Sequence, residues 1–200
     1  MAVGGQIGFY GLSDWWLETF SSFERERILA LYQPLGASED YLTKARITSS
    51  SQSKISFLTN LATWLRGEEN RHLAYACLEA AEPLFVTSVS PLDQHFALSN
   101  RCKVYYRWRA IDTFALPRAI EACQRSIDIH LMAAAAFRQE YPGPLPRHAC
   151  FQQLAIIREK QGNFAGAVLL CDQAETAGWG GDWAGRRDRI NQKWRKALGS

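Results

Sequence analysis

Two stretches of this sequence repeat one arrangement of large and small apolar residues on either side of a glycine break. In the first, Leu58, Leu61, Ala62 and Leu65 recur at helical spacing, Gly67-Glu-Glu-Asn70 interrupts them, and Ala74, Leu78 and Ala81 resume the stripe. In the second, Phe151, Leu154 and Ala155 precede Gly162-Asn163, and Ala167, Cys171 and Ala174 follow. Apolar residues three and four apart share one face of a helix. Small residues let two helices approach closely, and large ones fill the seam between them. The pattern predicts antiparallel helical hairpins and an all-α fold, with no strand-like alternation.

The rest of the chain reads as helix with clear punctuation. Ser13 is placed to cap a helix starting at Asp14, with Leu12 and Leu17 as a hydrophobic staple. Ser21 and Glu24 have capping-box spacing for a second helix, which Pro34 and Gly36 stop. Trp15, Trp16, Phe20 and Phe23 form an aromatic cluster that reads as a lid on a small core, or as a docking surface. A short helix is expected over Glu39–Ile47. The run Thr48-Ser-Ser-Ser-Gln-Ser53 reads as a linker, dividing an N-terminal aromatic-rich segment (1–48) from a helical array (54–199) packed with it as one domain. Ser90-Pro91-Leu92-Asp93 starts a helix expected to reach Asp112, since Ser caps, Pro suits the first helical position and Asp favours the positive end of the dipole. Pro117 restarts helix as far as Tyr141, and Pro142-Gly-Pro-Leu-Pro146 ends it. Helices are expected over Arg147–Gln161 and Phe164–Ala177, and a last one, capped by Asp182, runs to Leu198.

The segment Phe151 to Ala174 resembles a tetratricopeptide repeat: Phe151, Leu154, Ala155, Ala167, Cys171 and Ala174 match that family in residue class and spacing, while Arg158 stands where it has an aromatic. Leu58 to Ala81 matches again. Between them Ala119, Cys123 and Ser126 fit a second helix, but Tyr106-Arg107 replaces the Leu-small pair. The landmarks Ala74, Ala119 and Ala167 lie 45 and 48 residues apart, against roughly 34 in a regular array. The resemblance therefore covers about residues 54–178 as a degenerate array. It implies hairpins stacked as a short solenoid, with an N-terminal helical cap and a C-terminal capping helix, and a concave face that binds a peptide or protein. A generic antiparallel helix bundle is the structural alternative. The Trp15-Trp16 pair followed by a charged helix also resembles the openings of bacterial helical proteins.

Charge and cysteine usage narrow the function classes. The formal net charge is +3, too mild by itself to predict a nucleic-acid partner. No apolar run approaches the roughly 20 residues that span a bilayer, and the N-terminus has no basic or long apolar leader, so a cytoplasmic protein with no membrane partner is expected. The five cysteines, Cys77, Cys102, Cys123, Cys150 and Cys171, are far apart and never form Cys-x-x-Cys. They read as buried thiols, and neither a disulfide framework nor a metal site is expected. His72, His95, His130 and His148 are scattered. Asp128 and His130, two apart, do not share a helix face. No nucleophile, base and orienting group come together, so no catalytic residues and no cofactor are expected.

Two surfaces remain as candidates. The first is the concave face, where stepping from the core stripe gives Thr59, Thr63, Arg66, Arg101, Tyr105, Trp108, Gln152 and Ile156 as partner-binding residues. The second is the last helix, where Arg186, Arg187, Arg189, Lys193, Arg195 and Lys196 face only Asp182 and Asp188, while Ile190, Trp194 and Leu198 form one apolar stripe. That helix reads as a solenoid cap or as a basic patch for an acidic partner, nucleic acid included. The expected function is a non-catalytic interaction scaffold. A nucleic-acid-associated or acidic-partner-binding protein is the alternative.

Overall fold

The computed structural model describes residues 3–36, 38, 40–87 and 90–199. The chain divides into two compact units, residues 1–88 and 89–200. The division thus falls near residue 88, and the Ser-rich run is part of the first unit. The run is tied down by the Tyr10 hydroxyl, which donates to the Gln52 carbonyl at 2.5 Å and meets the Ser50 hydroxyl at 2.9 Å. Tyr10 also stacks on Phe57 with ring centroids 4.9 Å apart.

The first unit contains α1 (Gly5–Phe9), α2 (Ser13–Thr19), α3 (Ser22–Leu31), α4 (Lys54–Trp64), a 3-10 turn (Glu68–Asn70), α5 (Arg71–Ala81) and α6 (Leu84–Thr87). The capping box before α3 is complete. The Glu24 N–H donates to Ser21 Oγ, the Ser21 N–H donates to Glu24 Oε2, and the hydrogen bonds from Ser21 push the Glu24 carboxyl down to about 2. Trp16 and Phe20 are buried and Trp15 meets Phe20 edge-on, whereas Phe23 is exposed, so the aromatic cluster is mainly core. The expected helix over Glu39–Ile47 does not form: residues 40–44 are turns, and Glu39 lies outside the described residues. The carbonyls of Tyr41, Leu42, Thr43 and Ala45 instead accept from the N–H groups of residues 4–7 at the start of α1, donors that a helix leaves without intrahelical partners. Gly5 makes this approach possible: its φ is +59°, and a Cβ there would sit 2.4 Å from the backbone of Leu42 and Thr43.

The second unit contains α7 (Pro91–Arg107), α8 (Ala115–Asp128), α9 (His130–Glu140), β1 (Leu145–Arg147), α10 (Ala149–Lys160), α11 (Phe164–Thr176), β2 (Trp179–Gly180) and α12 (Trp183–Leu198). Ser90, His148, Asn163 and Asp182 each accept a backbone N–H at the start of α7, α10, α11 and α12. The helix expected to run to Tyr141 breaks at Ile129, where His130 Nδ1 contacts the Ile127 carbonyl at 2.5 Å. α7 ends at Arg107, short of Asp112.

The fold is mostly helical, with one departure from the all-α expectation. β1 and β2 form a short parallel pair, Leu145 opposite Trp179 and Arg147 opposite Gly180. Pairs this short carry no period-two pattern to read. Gly180 permits the pairing, because a Cβ there would come 2.7 Å from the Leu145 carbonyl oxygen.

Consecutive helices pack together: α4 on α5, α7 on α8, α10 on α11 and α11 on α12, with α8 also against α10. Leu58, Leu61, Ala62, Leu65, Ala74, Leu78 and Ala81 are all buried, as are Phe151, Leu154, Ala155, Ala167, Cys171 and Ala174. On α12 Trp183 and Ile190 are buried and Trp194 stacks on Phe164, but Leu198 is exposed, so the apolar stripe stops before the C-terminus.

Candidate functional site

The side chains expected on a concave face do not share one environment. Thr59 is fully buried, and its hydroxyl donates to the Ile55 carbonyl at 2.9 Å. Thr63 is half-buried with its hydroxyl on the Asn60 carbonyl, and Arg66 is exposed. Arg101, Tyr105 and Trp108 are buried. The Arg101 guanidinium lies 5.3 Å from the Tyr105 ring centre, Arg118 lies 5.5 Å from that ring centre, and Arg107 packs over Trp108. Burial makes Thr59, Arg101, Tyr105 and Trp108 interior groups instead of an open binding face. Stepping along a helix from its core stripe found neighbours of the core, because a helix packed on several sides buries more than one stripe. Gln152 and Ile156 on α10 are half-buried.

Gln152 belongs to a different grouping. Together with Arg147, Gly181, Asp182, Trp183, Arg186 and Arg189 it lines a pocket of about 200 Å³. Thus one residue expected on the concave face, two from the basic helix and the unforeseen Arg147 meet in one place. Arg147 sits at the end of β1, whose pairing with β2 sets it beside the start of α12. Asp182 is the one carboxylate in the lining. Its pKa is lowered first by its hydrogen bond from the Gly185 N–H and then by Arg189, whose Nη1 lies 3.3 Å from it.

The remaining charges of α12 are partly spent within the unit. Arg187 contacts Glu175 at 2.5 Å and Asp172 at 3.0 Å, and Glu175 raises its pKa further. Lys193 pairs with Glu159. Arg195 and Lys196 are exposed in the last turn, where positive charge complements the helix dipole. Arg147, Arg186 and Arg189 line the pocket, with Arg189 paired to Asp182.

Behind the pocket lies an aromatic core built around two histidines. His95 stacks on Trp179 with ring planes 5° apart, and His148 meets His95, Trp179 and Phe151 edge-on at 4.6–4.8 Å. His148 Nδ1 accepts the Phe151 N–H, so its proton sits on Nε2, which has no partner among the described residues. Burial pushes the His148 pKa down to about 3 and lowers that of His95 as well. Both rings are neutral packing groups at physiological pH. Trp183 donates to the Trp179 carbonyl at 2.7 Å, tying the pocket floor to this core.

One further group combines side chains from α7, α8 and α10. The sulfurs of Cys102, Cys123 and Cys150 lie within 4.8 Å of one another, and all three residues are buried. These can hold a soft metal ion, which the wide sequence spacing of the cysteines concealed. No family model, curated protein or solved structure matches the chain.

Proposed function

We propose that this chain is a non-catalytic, tetratricopeptide-like scaffold whose second unit grips an acidic side chain or terminal carboxylate of a protein partner in the pocket between β1, α10 and α12. The observation that carries the reading is the convergence of Arg147, Arg186 and Arg189 with Gln152 on one pocket that holds a single carboxylate of its own. Arginine's planar fork pairs with carboxylates in a bidentate manner, so three guanidiniums around a small concavity favour such a group. A volume of about 200 Å³ suits one side chain better than a drug-sized ligand, which fills roughly 300 Å³ or more. The hairpins with their small–large–small seams support a repeat-like scaffold, and five buried free thiols support a reducing, cytoplasmic setting.

A nucleic-acid partner is the weaker reading. Phosphate tracking needs an extended stripe of uncompensated cations, whereas Arg187 and Lys193 are paired with the unit's own carboxylates. The test is a binding titration with a fluorescent oligoglutamate peptide and, in parallel, with an oligonucleotide over a salt series. Arg186→Ala should weaken peptide binding about tenfold, as loss of a charge-assisted hydrogen bond does. Peptide binding as tight as the parent's by both the Arg147→Ala and Arg186→Ala proteins, or tighter binding to the oligonucleotide, would sink the reading.

A further inference from the structure

We infer that Cys102, Cys123 and Cys150 form a binding site for one thiophilic d10 metal ion, with its remaining coordination position open to the cleft between α7 and α10. The three sulfurs come from three different helices and lie within 4.8 Å of one another, with Cys102 and Cys123 Sγ atoms 3.1 Å apart. Three sulfurs each about 2.3 Å from one ion stand roughly 3.8–4.0 Å apart. Small χ1 rotations therefore convert the observed triangle into a coordination sphere. Among the described residues no histidine or carboxylate joins this group, and an all-thiolate set selects soft ions such as zinc or copper(I) over magnesium, calcium or manganese.

The surroundings match what such a site requires. A cleft of about 400 Å³ is lined by Ser99, Cys102, Lys103, Tyr106, Cys150 and Gln153, which gives an entry path and room for a water or exogenous ligand on the metal. Two buried donors stand nearby without a hydrogen-bond partner among the described residues, the Ser126 hydroxyl and the Gln153 amide nitrogen. Both are suited to bond thiolate sulfur, the outer-shell role that metal sites use. Ala122, Leu154, Ile120 and Ile127 close the apolar side.

Binding forms three metal–sulfur bonds as the protons held by the three thiols leave to solvent, with no change of oxidation state.

The test uses reduced, oxygen-free full-length protein titrated with cadmium(II), the spectroscopic stand-in for zinc, and separately with copper(I). The expected result in at least one arm is a thiolate-to-metal charge-transfer band that saturates at one ion per chain, with proton release. The arm that saturates identifies the valence. Cys102→Ser, Cys123→Ser and Cys150→Ser should each weaken binding by more than about 100-fold, beyond the 10–100-fold expected for the outer-shell variant Ser126→Ala. Cys77→Ser and Cys171→Ser should bind as the parent does. Should a serine variant fail to fold, X-ray absorption of the loaded parent protein decides by counting three sulfurs on the metal. Absence of a saturating band in both arms, a sulfur count below three, or a band that survives the three substitutions overturns the site. None of these readouts involves the arginine pocket, so the two proposals stand or fall separately.

Discussion

The hairpins α4–α5 and α10–α11 bury the same succession of large and small residues, yet their neighbouring elements place arginines differently. At the first, Arg27 from α3 reaches the turn between the helices, donating to Asn70 and pairing with Glu69 at 2.8 Å. Glu24 of the same helix meets His72 at 2.8 Å. The charge there is consumed in closing the hairpin. At the second, Asn163 accepts the Gly166 N–H and Arg158 donates to Gln161 at the turn. Arg187 of α12 is paired with Asp172 and Glu175, while Arg147, Arg186 and Arg189 line a pocket in which Arg189 meets Asp182. The buried pattern sets how two helices pack and is silent about the outside. The outside is set by what the neighbouring elements bring to the rim.

Core truncation tests that shared packing most severely. Phe151→Ala should cost about 3–5 kcal/mol and Leu61→Ala about 2–5 kcal/mol, read by denaturant unfolding. A loss below about 1 kcal/mol at either would break the equivalence of the two hairpins.

Acid distinguishes the units next. His148 has its pKa depressed to about 3, against about 6.5 in an unfolded chain. Below pH 6.5 the unfolded state takes up a proton that the folded state refuses, so stability falls as pH drops toward 3 and is fully present above 6.5. The slope from this one residue approaches about 1.4 kcal/mol per pH unit. His148→Asn, whose side-chain oxygen can still cap α10, should flatten that part of the pH profile. An unchanged profile would show that the ring is not held neutral.

The pocket gives a smaller and more local contrast. Arg186→Ala should reduce oligoglutamate binding about tenfold, whereas Arg27→Ala, in the lock of the first unit, should leave it unchanged. Equal effects from the two would mean that the peptide reads overall charge. The smallest effects belong to the helix ends and exposed pairs. Asn163→Ala and Ser53→Ala should each cost about 1 kcal/mol in thermal unfolding. Lys193→Ala should cost under about 1 kcal/mol, since its side chain is exposed.

Much of the helical framework was legible from the residues. The capping box at Ser21 and Glu24, the Ser90-Pro91 start, the Gly162-Asn163 turn and the Asp182 cap act within four residues, and the structure has each of them. Misreadings arose where distant chain intervened. Residues 40–45 serve α1 in place of forming a helix, and β1 finds β2 across two intervening helices. The site was legible only in part. Gln152, Arg186 and Arg189 were named as surface candidates, but for two separate surfaces. Arg147 carried no local signal, and Arg101, Tyr105 and Trp108 proved to be buried.

By itself, the sequence determined many of the helix starts and the buried stripes of the two hairpins. Those choices depend on hydrogen bonds and side-chain spacing within one or two turns. Only the tertiary structure decided that Arg147 would meet Arg186 and Arg189, and that Cys102, Cys123 and Cys150 would come within 4.8 Å of one another. The physical reason is distance along the chain. Such groups meet only after the packing of α7, α8, α10 and α12 has been settled by apolar burial, which is proportional to area and indifferent to which polar or sulfur atoms it carries together.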